Sequence, residues 1–207
     1  MHPILHNISA IIFDLGEVII DVDTSKTVSA FKALATIDDF NLFSFSHQAA
    51  FFSQFEMGLI SEDEFRANLR SSLKTDASDE TLNVAWNKML GDLPQEKLNI
   101  LQRLKSDYRT FALSNTNTIH IRFINDYLQH KKPQDKLDNY FHHAYYSHDL
   151  KARKPNEIAY TKVMSLENLV PQQTLMIDDR LENLEAAARV GMRVFHMTDP
   201  SLFYQLF

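Results

Sequence analysis

Three short apolar runs end abruptly in polar residues: Ile8 to Phe13 at Asp14, Thr110 to Leu113 at Ser114-Asn115, and Thr174 to Ile177 at Asp178-Asp179. Their length and flanks predict buried strands. Ala144 to Ser147 and Arg193 to Met197 are weaker runs of the same kind. Between the runs the apolar spacing turns helical. Leu98, Leu101 and Leu104 follow Pro94, and Ile121, Ile124 and Leu128 follow the second strand. Ile158, Val163 and Leu166 follow Pro155, while Leu181, Leu184, Ala187 and Ala188 stop at Gly191. Strands alternating with helices predict a parallel sheet covered on both faces, a doubly wound α/β fold.

Residues from about Asp23 to Leu90 follow a different rule, with Phe-rich helical spacing and no convincing strand. Val28, Phe31, Leu34 and Ala35 mark one helix, and Phe51, Phe52 and Phe55 a second. Ser61 and Glu64 form a capping box ahead of Phe65, Leu69 and Leu73, and Leu82, Ala85, Trp86 and Met89 mark a fourth helix. These aromatics read as the packing core of a helical insert. Gly58, and Gly91-Asp92 with Pro94, are its clearest breaks. The organisation expected is a core of residues 1–20 and 91–207 with an insert at 21–90.

Composition narrows the function classes. The 207 residues are 44% hydrophobic and 23% charged, enough for one sizeable core with a small insert. Lys plus Arg number 21 against 27 Asp plus Glu, a net charge of −6 that offers no footprint for nucleic acid or anionic membranes. Cysteine is absent, which excludes disulfides, thiolate metal sites and thiol catalysis and suits a reducing cytoplasm. Met1-His2-Pro3 lacks the basic region of a signal peptide, and no apolar run approaches a membrane span. A soluble cytoplasmic protein is expected, and nothing in the pattern speaks to oligomeric state. The nine histidines show no HExxH pairing and no triad-like context, so each reads as a core or surface residue.

The candidate chemistry lies at the strand ends. In an open α/β sheet, ligands bind beyond the carboxyl ends of the strands, so Asp14, Ser114 and the Asp178-Asp179 pair should converge. Any one of them alone reads as a turn or cap residue. Their joint occurrence points to a site. Lys154, just before Pro155, puts a cation at a helix start, where it sits badly with the macrodipole unless an anion is bound.

These residues resemble the haloacid dehalogenase-like hydrolase superfamily, over nearly the whole chain and in the expected order. Its four motifs are matched by Phe13-Asp14-Leu15-Gly16-Glu17-Val18, Leu113-Ser114-Asn115-Thr116, Arg153-Lys154-Pro155, and Ile177-Asp178-Asp179 followed by Asn183. Phe55-Glu56-Met57-Gly58-Leu59-Ile60-Ser61 resembles the entry to a helix of a small cap between motifs one and two. The branch most similar in pattern is that of alpha-glucose-1-phosphatase-like sugar phosphatases. The resemblance implies a Mg²⁺-dependent phosphatase acting on a small phosphorylated metabolite. It implies Asp14 as the nucleophile that becomes an aspartyl-phosphate, and Asp14, the Gly16 carbonyl and Asp179 as metal ligands. Asp178 holds a metal water, with either acid of the pair able to coordinate directly. Ser114 and Asn115 bind phosphoryl oxygens, although Asn115 equally serves to brace its loop, and Lys154 offsets charge around Asp14. Asn183 takes either a local hydrogen bond or an outer role. Lys151 and Arg153 read as solvated charges, either able to replace Lys154.

One position departs from the pattern. Phosphatases of this superfamily carry a second Asp two residues after the nucleophile, as general acid and then base, and here that position is Gly16. Either a neighbour such as Glu17, a cap residue or an ordered water replaces it, or the leaving group needs little proton assistance, or the protein binds phosphate or a partner without turnover. A metal-independent haloacid dehalogenase is the other alternative. Its fourth motif, however, resembles Ser-Asn, whereas Asp178-Asp179 beside Asp14 makes little electrostatic sense without a cation.

Overall fold

The computed structural model of the chain describes residues 2–36 and 50–207. Five parallel strands form one sheet in the order β3-β2-β1-β4-β5. They are β1 (Ala10–Phe13), β2 (Arg109–Ser114), β3 (His143–Tyr146), β4 (Thr174–Asp178) and β5 (Arg193–His196). The chain lays β2 and β3 to one side of β1, then returns to place β4 and β5 on the other. This reversal opens a crevice at the carboxyl ends of β1 and β4. Register brings the ends together, with Phe13 opposite both Ala112 and Ile177.

Side chains alternate across the sheet, and both faces are covered, which is why the strands read as unbroken apolar runs. Ile11 and Phe13 face one core, with Leu98 and Leu101 of α5 (Gln95–Asp107), Ile124 and Leu128 of α6 (Thr118–Lys131), and Phe203 of α10 (Leu202–Leu206). Ala10 and Ile12 face the other, with Tyr160 and Val163 of α8 (Glu157–Leu166) and Leu184 and Ala187 of α9 (Leu181–Arg189). Two helix faces depart from the expected stripes. Ile158, Leu166 and Leu181 are more than half exposed, and α8 buries Ala159, Tyr160 and Val163 instead. Tertiary contact favoured the stripe that carries the larger Tyr160 side chain. Two boundaries also shift, because Ile8 precedes β1 and Ser147 opens the short α7 (Ser147–Leu150) instead of closing β3.

The insert is helical among the described residues, containing α1 (Thr24–Leu34), α2 (Ala50–Glu56), α3 (Glu62–Leu73) and α4 (Asp79–Asn87). The capping box at α3 forms as expected, Ser61 Oγ accepting from Glu64 N and a Glu64 carboxylate oxygen from Ser61 N. Phe31, Phe52, Phe55, Phe65 and Trp86 make a separate aromatic core, with Phe55 stacked on Phe65 at 4.2 Å and Ile119 of α6 closing its base. Each such ring contributes about 1.5–3 kcal/mol by leaving water. The insert is thus a cap with its own core, resting on the sheet's carboxyl edge. Two antiparallel crossings join it to the sheet, with Asp21 N donating to Asp92 O, Gly91 N to Asp21 O, and Asp23 N to Met89 O. The range 37–49 within the expected insert lies outside the described residues. No helix among the described residues is long and apolar enough to cross a membrane.

Candidate active site

Asp14 leaves β1 with its N–H still bound to Ile177 O at 2.8 Å, so the strand pairing itself aims the residue into the crevice. The chain then turns sharply. Glu17 takes a left-handed conformation and its carboxylate accepts from Val22 N at 2.5 Å, while the buried Lys97 donates to Val18 O at 2.8 Å from α5. The turn after Asp14 is therefore held from two sides.

Lys154, 1% exposed, ties three strand ends together. Its Nζ lies 2.9 Å from Asp14 Oδ1 and donates to Asp178 Oδ2 at 2.6 Å. The other Asp178 oxygen accepts from Arg180 N and Asn183 Nδ2, both at 2.9 Å. Asn115 spends its amide on the Lys154 backbone, donating to Lys154 O and accepting from Lys154 N. Ser114 is buried beside them with its hydroxyl engaged by no described group.

The balance of charge at this pole is negative. Oxygens of Asp14, Asp178 and Asp179 lie within 4.8 Å of one another, with the Lys154 ammonium between Asp14 and Asp178 and Arg180 also acting on Asp179. Burial pushes the Asp14 carboxyl up to about 7, with Lys154 pulling down and Asp178 and Asp179 pushing up. Asp179 is raised too, chiefly by burial and then by Asp178. Burial works against charge on Lys154, but Asp14 and Asp178 outweigh it and its pKa is raised. An all-oxygen, under-neutralised donor set of this kind suits a hard divalent cation such as Mg²⁺. Gly16 lines the same cavity, and its carbonyl accepts none of the main-chain hydrogen bonds outside helices and strands among the described residues.

These groups form one wall of a cavity of about 340 Å³, the size of a small metabolite. Asp14, Gly16, Ser114, Asn115, Lys154 and Asp179 line it, whereas Asp178 sits behind, fully buried. Lys151 and Arg153, each weighed as a stand-in for Lys154, do not reach Asp14: Lys151 donates to Gly58 O, and Arg153 to Ser53 Oγ. Asn183 contributes to the lining and braces Asp178. The opposite wall belongs to the cap and is largely apolar, built from Val22, Val28, Phe52, Trp86 and Met89. Glu56, His120 and Arg180 also line the cavity and were missed by sequence reasoning. An acid closing a Phe-rich helix, opposed to the helix dipole, was the available signal for Glu56. His120 is stacked on Trp86 at 4.8 Å and driven down to about 4 by burial, so it is neutral at physiological pH.

Residues 8–191 match the family model for haloacid dehalogenase-like hydrolases, and the chain belongs to that family. Its five-stranded parallel sheet flanked by helices is the α/β fold of that family, and the protein is a hydrolase. A D-ribitol-5-phosphate phosphatase of Bacteroides thetaiotaomicron is 29% identical over 190 residues, covering 91% of each chain. A haloacid dehalogenase family enzyme of the same organism, solved as a wild-type complex with magnesium and inorganic phosphate, superposes with a TM-score of 0.81 at 30% identity, covering 91% of this chain and 93% of that one. A HAD-like family hydrolase from Porphyromonas gingivalis gives a TM-score of 0.83 at 28% identity, covering 96% and 98%.

Proposed function

We propose that the protein is a Mg²⁺-dependent phosphatase of small sugar or sugar-alcohol phosphates, working through an aspartyl-phosphate on Asp14. The observation that carries this reading is the close cluster of Asp14, Asp178 and half-buried Asp179 around Lys154, three acids against the Lys154 and Arg180 charges, with Asp14 and Asp179 open to a metabolite-sized cavity. The relative that acts on D-ribitol-5-phosphate supports the substrate class, and the relative solved with magnesium and phosphate supports the metal. Asp14, the Gly16 carbonyl and Asp179 would hold Mg²⁺, which when bound supplies the positive charge that lets an anionic ester approach a carboxylate. Asp178, with both oxygens already engaged, suits an outer role.

The chain's own groups divide the remaining work. An Asp14 oxygen attacks phosphorus, Ser114 Oγ binds a phosphoryl oxygen, and Lys154 stabilises charge as it develops. Asn115 acts through its loop, holding Lys154 in place. Residues 1–20 with 91–207 form the catalytic core, and 21–90 form the cap whose apolar wall excludes water and selects the substrate. A dehalogenase reading leaves Asp178 and Asp179 as repelling charges beside Asp14, so it is the weaker one.

The test is a panel of phosphorylated metabolites and 4-nitrophenyl phosphate, with and without chelator. Phosphate release that chelator stops, and that Asp14→Asn lowers by about 10⁴-fold or more, is expected. Turnover surviving in Asp14→Asn rejects the nucleophile. Halide release from a short haloacid in the presence of chelator establishes the dehalogenase instead.

A further inference from the structure

With Gly16 in place of the usual second acid, the phosphatase reaction lacks a proton carrier on the core side of the cavity. Glu56, the last residue of α2, faces the same cavity from the cap. Its side chain is only 16% exposed, and Oε2 lies 3.0 Å from Arg153 Nη2. That contact lacks hydrogen-bond alignment. Among the described residues, Glu56 Oε2 and Arg153 Nε are both buried with no hydrogen-bond partner. Unmatched polar atoms at a cavity wall mark a place that a ligand completes.

The other candidates are already engaged. Glu17 holds Val22 N, and His120 is neutral, its ring nitrogens set against Asn117 Nδ2 and the Trp86 carbonyl. Arg153 and Arg180 present guanidinium groups, which donate hydrogen bonds and offer no acceptor for a proton. Glu56 is also fixed in position. Ser147 Oγ donates to its carbonyl at 2.5 Å, and Lys151 Nζ to Gly58 O at 2.7 Å. Gly58 has φ 61°, and a Cβ there would collide with His148 O, so the turn after α2 presses directly on α7. The cap acid is therefore locked to the same loops that carry Lys154.

Resting on the phosphatase reading, we infer that Glu56 is the general acid and base of the reaction. As Asp14 forms its bond to phosphorus, the ester P–O bond breaks and the Glu56 proton passes to the departing alcohol oxygen. Glu56 carboxylate then takes a proton from the attacking water while the water oxygen bonds to phosphorus and the Asp14–phosphorus bond breaks. Glu56 ends protonated and Asp14 ionised, as they began. Burial pushes the Glu56 carboxyl up against the pull of Arg153 and Arg180, the charged groups that act on it from the core. A raised carboxyl keeps its proton closer to neutral pH, as a donor requires.

A departing alkoxide needs that proton and a nitrophenolate does not. Glu56→Gln should therefore lower kcat/KM for alkyl phosphates, beginning with D-ribitol 5-phosphate, about 100-fold or more relative to kcat/KM for 4-nitrophenyl phosphate. The alkaline limb of the alkyl-phosphate pH profile should be lost with it. Adding Gly16→Asp to Glu56→Gln should restore the ratio, because a Cβ at residue 16 meets only Val22 Cγ2, at 3.4 Å. A protein merely disturbed at α2 gains nothing from a carboxyl beside Asp14, so the rescue separates proton transfer from misfolding. Equal losses on both substrates, or an unchanged ratio, overturn the inference. Wild-type protein that turns over no phosphoester overturns the phosphatase reading and the Glu56 role with it, whereas turnover surviving in Asp14→Asn strikes the nucleophile alone.

Discussion

On the core wall of the cavity, Lys154 meets Asp14 and Asp178, from the ends of β1 and β4, within 3 Å, and Asp178 behind it is braced in turn by Asn183. On the cap wall, Phe52 and Trp86 pack as rings 5.4 Å apart, and Glu56 has an oxygen that no group among the described residues hydrogen-bonds. The difference separates two tasks. On the proposed phosphatase reading, a phosphoryl group is the same in every ester, so its site can be rigid and set by strand register. The leaving group varies, and on the same reading the wall that would meet it is made of packed rings belonging to the insert.

The contrast breaks first at Lys154. Lys154→Met strands Asp14 and Asp178 in a buried site, and urea unfolding at pH 7.5 should show a loss of about 3–5 kcal/mol. The loss should shrink at pH 5, where Asp14 takes up a proton. A cap substitution of similar size has no such pH dependence, and an equal loss at both pH values would mean that the core pole is not held by charge.

The second prediction concerns the cation. Asp14 is raised from 3.8 to about 7, so the metal-free fold binds the extra proton between those values. Its contribution to stability is full below about pH 4 and is lost as pH rises through 7. Thermal unfolding of metal-free wild type should therefore weaken relative to Asp14→Asn over that window, by an amount on the order of a few kcal/mol. Mg²⁺ should raise the wild-type Tm more at pH 8 than at pH 5, and the same rise at both would sink the cation argument.

The smallest effect tests how the cap is fastened. Glu62, at the start of α3, accepts from both Arg122 Nη atoms at 2.9 Å and from Thr118 Oγ1 at 2.6 Å, and these partners on α6 bring its pKa down to about 2. A lowered pKa contributes stability above about 4.5 that fades as pH falls toward 2. Because Arg122 is half exposed, Glu62→Gln should cost only about 1 kcal/mol at neutral pH, read by urea titration. A loss as large as that of Lys154→Met would erase the distinction between the two walls.

Much of the candidate site was legible because Asp14, Ser114 and the Asp178-Asp179 pair stand at the ends of apolar strands. Phe13-Asp14, Leu113-Ser114 and Ile177-Asp178 need only a parallel register to meet. Glu56 was only hinted at, by an acid closing a Phe-rich helix. Its place on the cavity wall depends on Ser147 and Lys151, some 90 residues later in the chain, holding the turn after α2. Likewise, the helical spacing of Ile158 and Leu166 is genuine, but the sheet selected the stripe of Tyr160 and Val163.

Local pattern determined the strands, the order of layers, the aromatic cap core and the set of acids at the strand ends, since burial and periodicity act over a few residues at a time. The fold alone decided which acids share a cation-sized space, that Asn115 braces Lys154, and that the cap brings the Glu56 carboxyl to the same cavity. Those outcomes depend on distances between segments far apart in the chain, set only when their packing faces compete for the same partners.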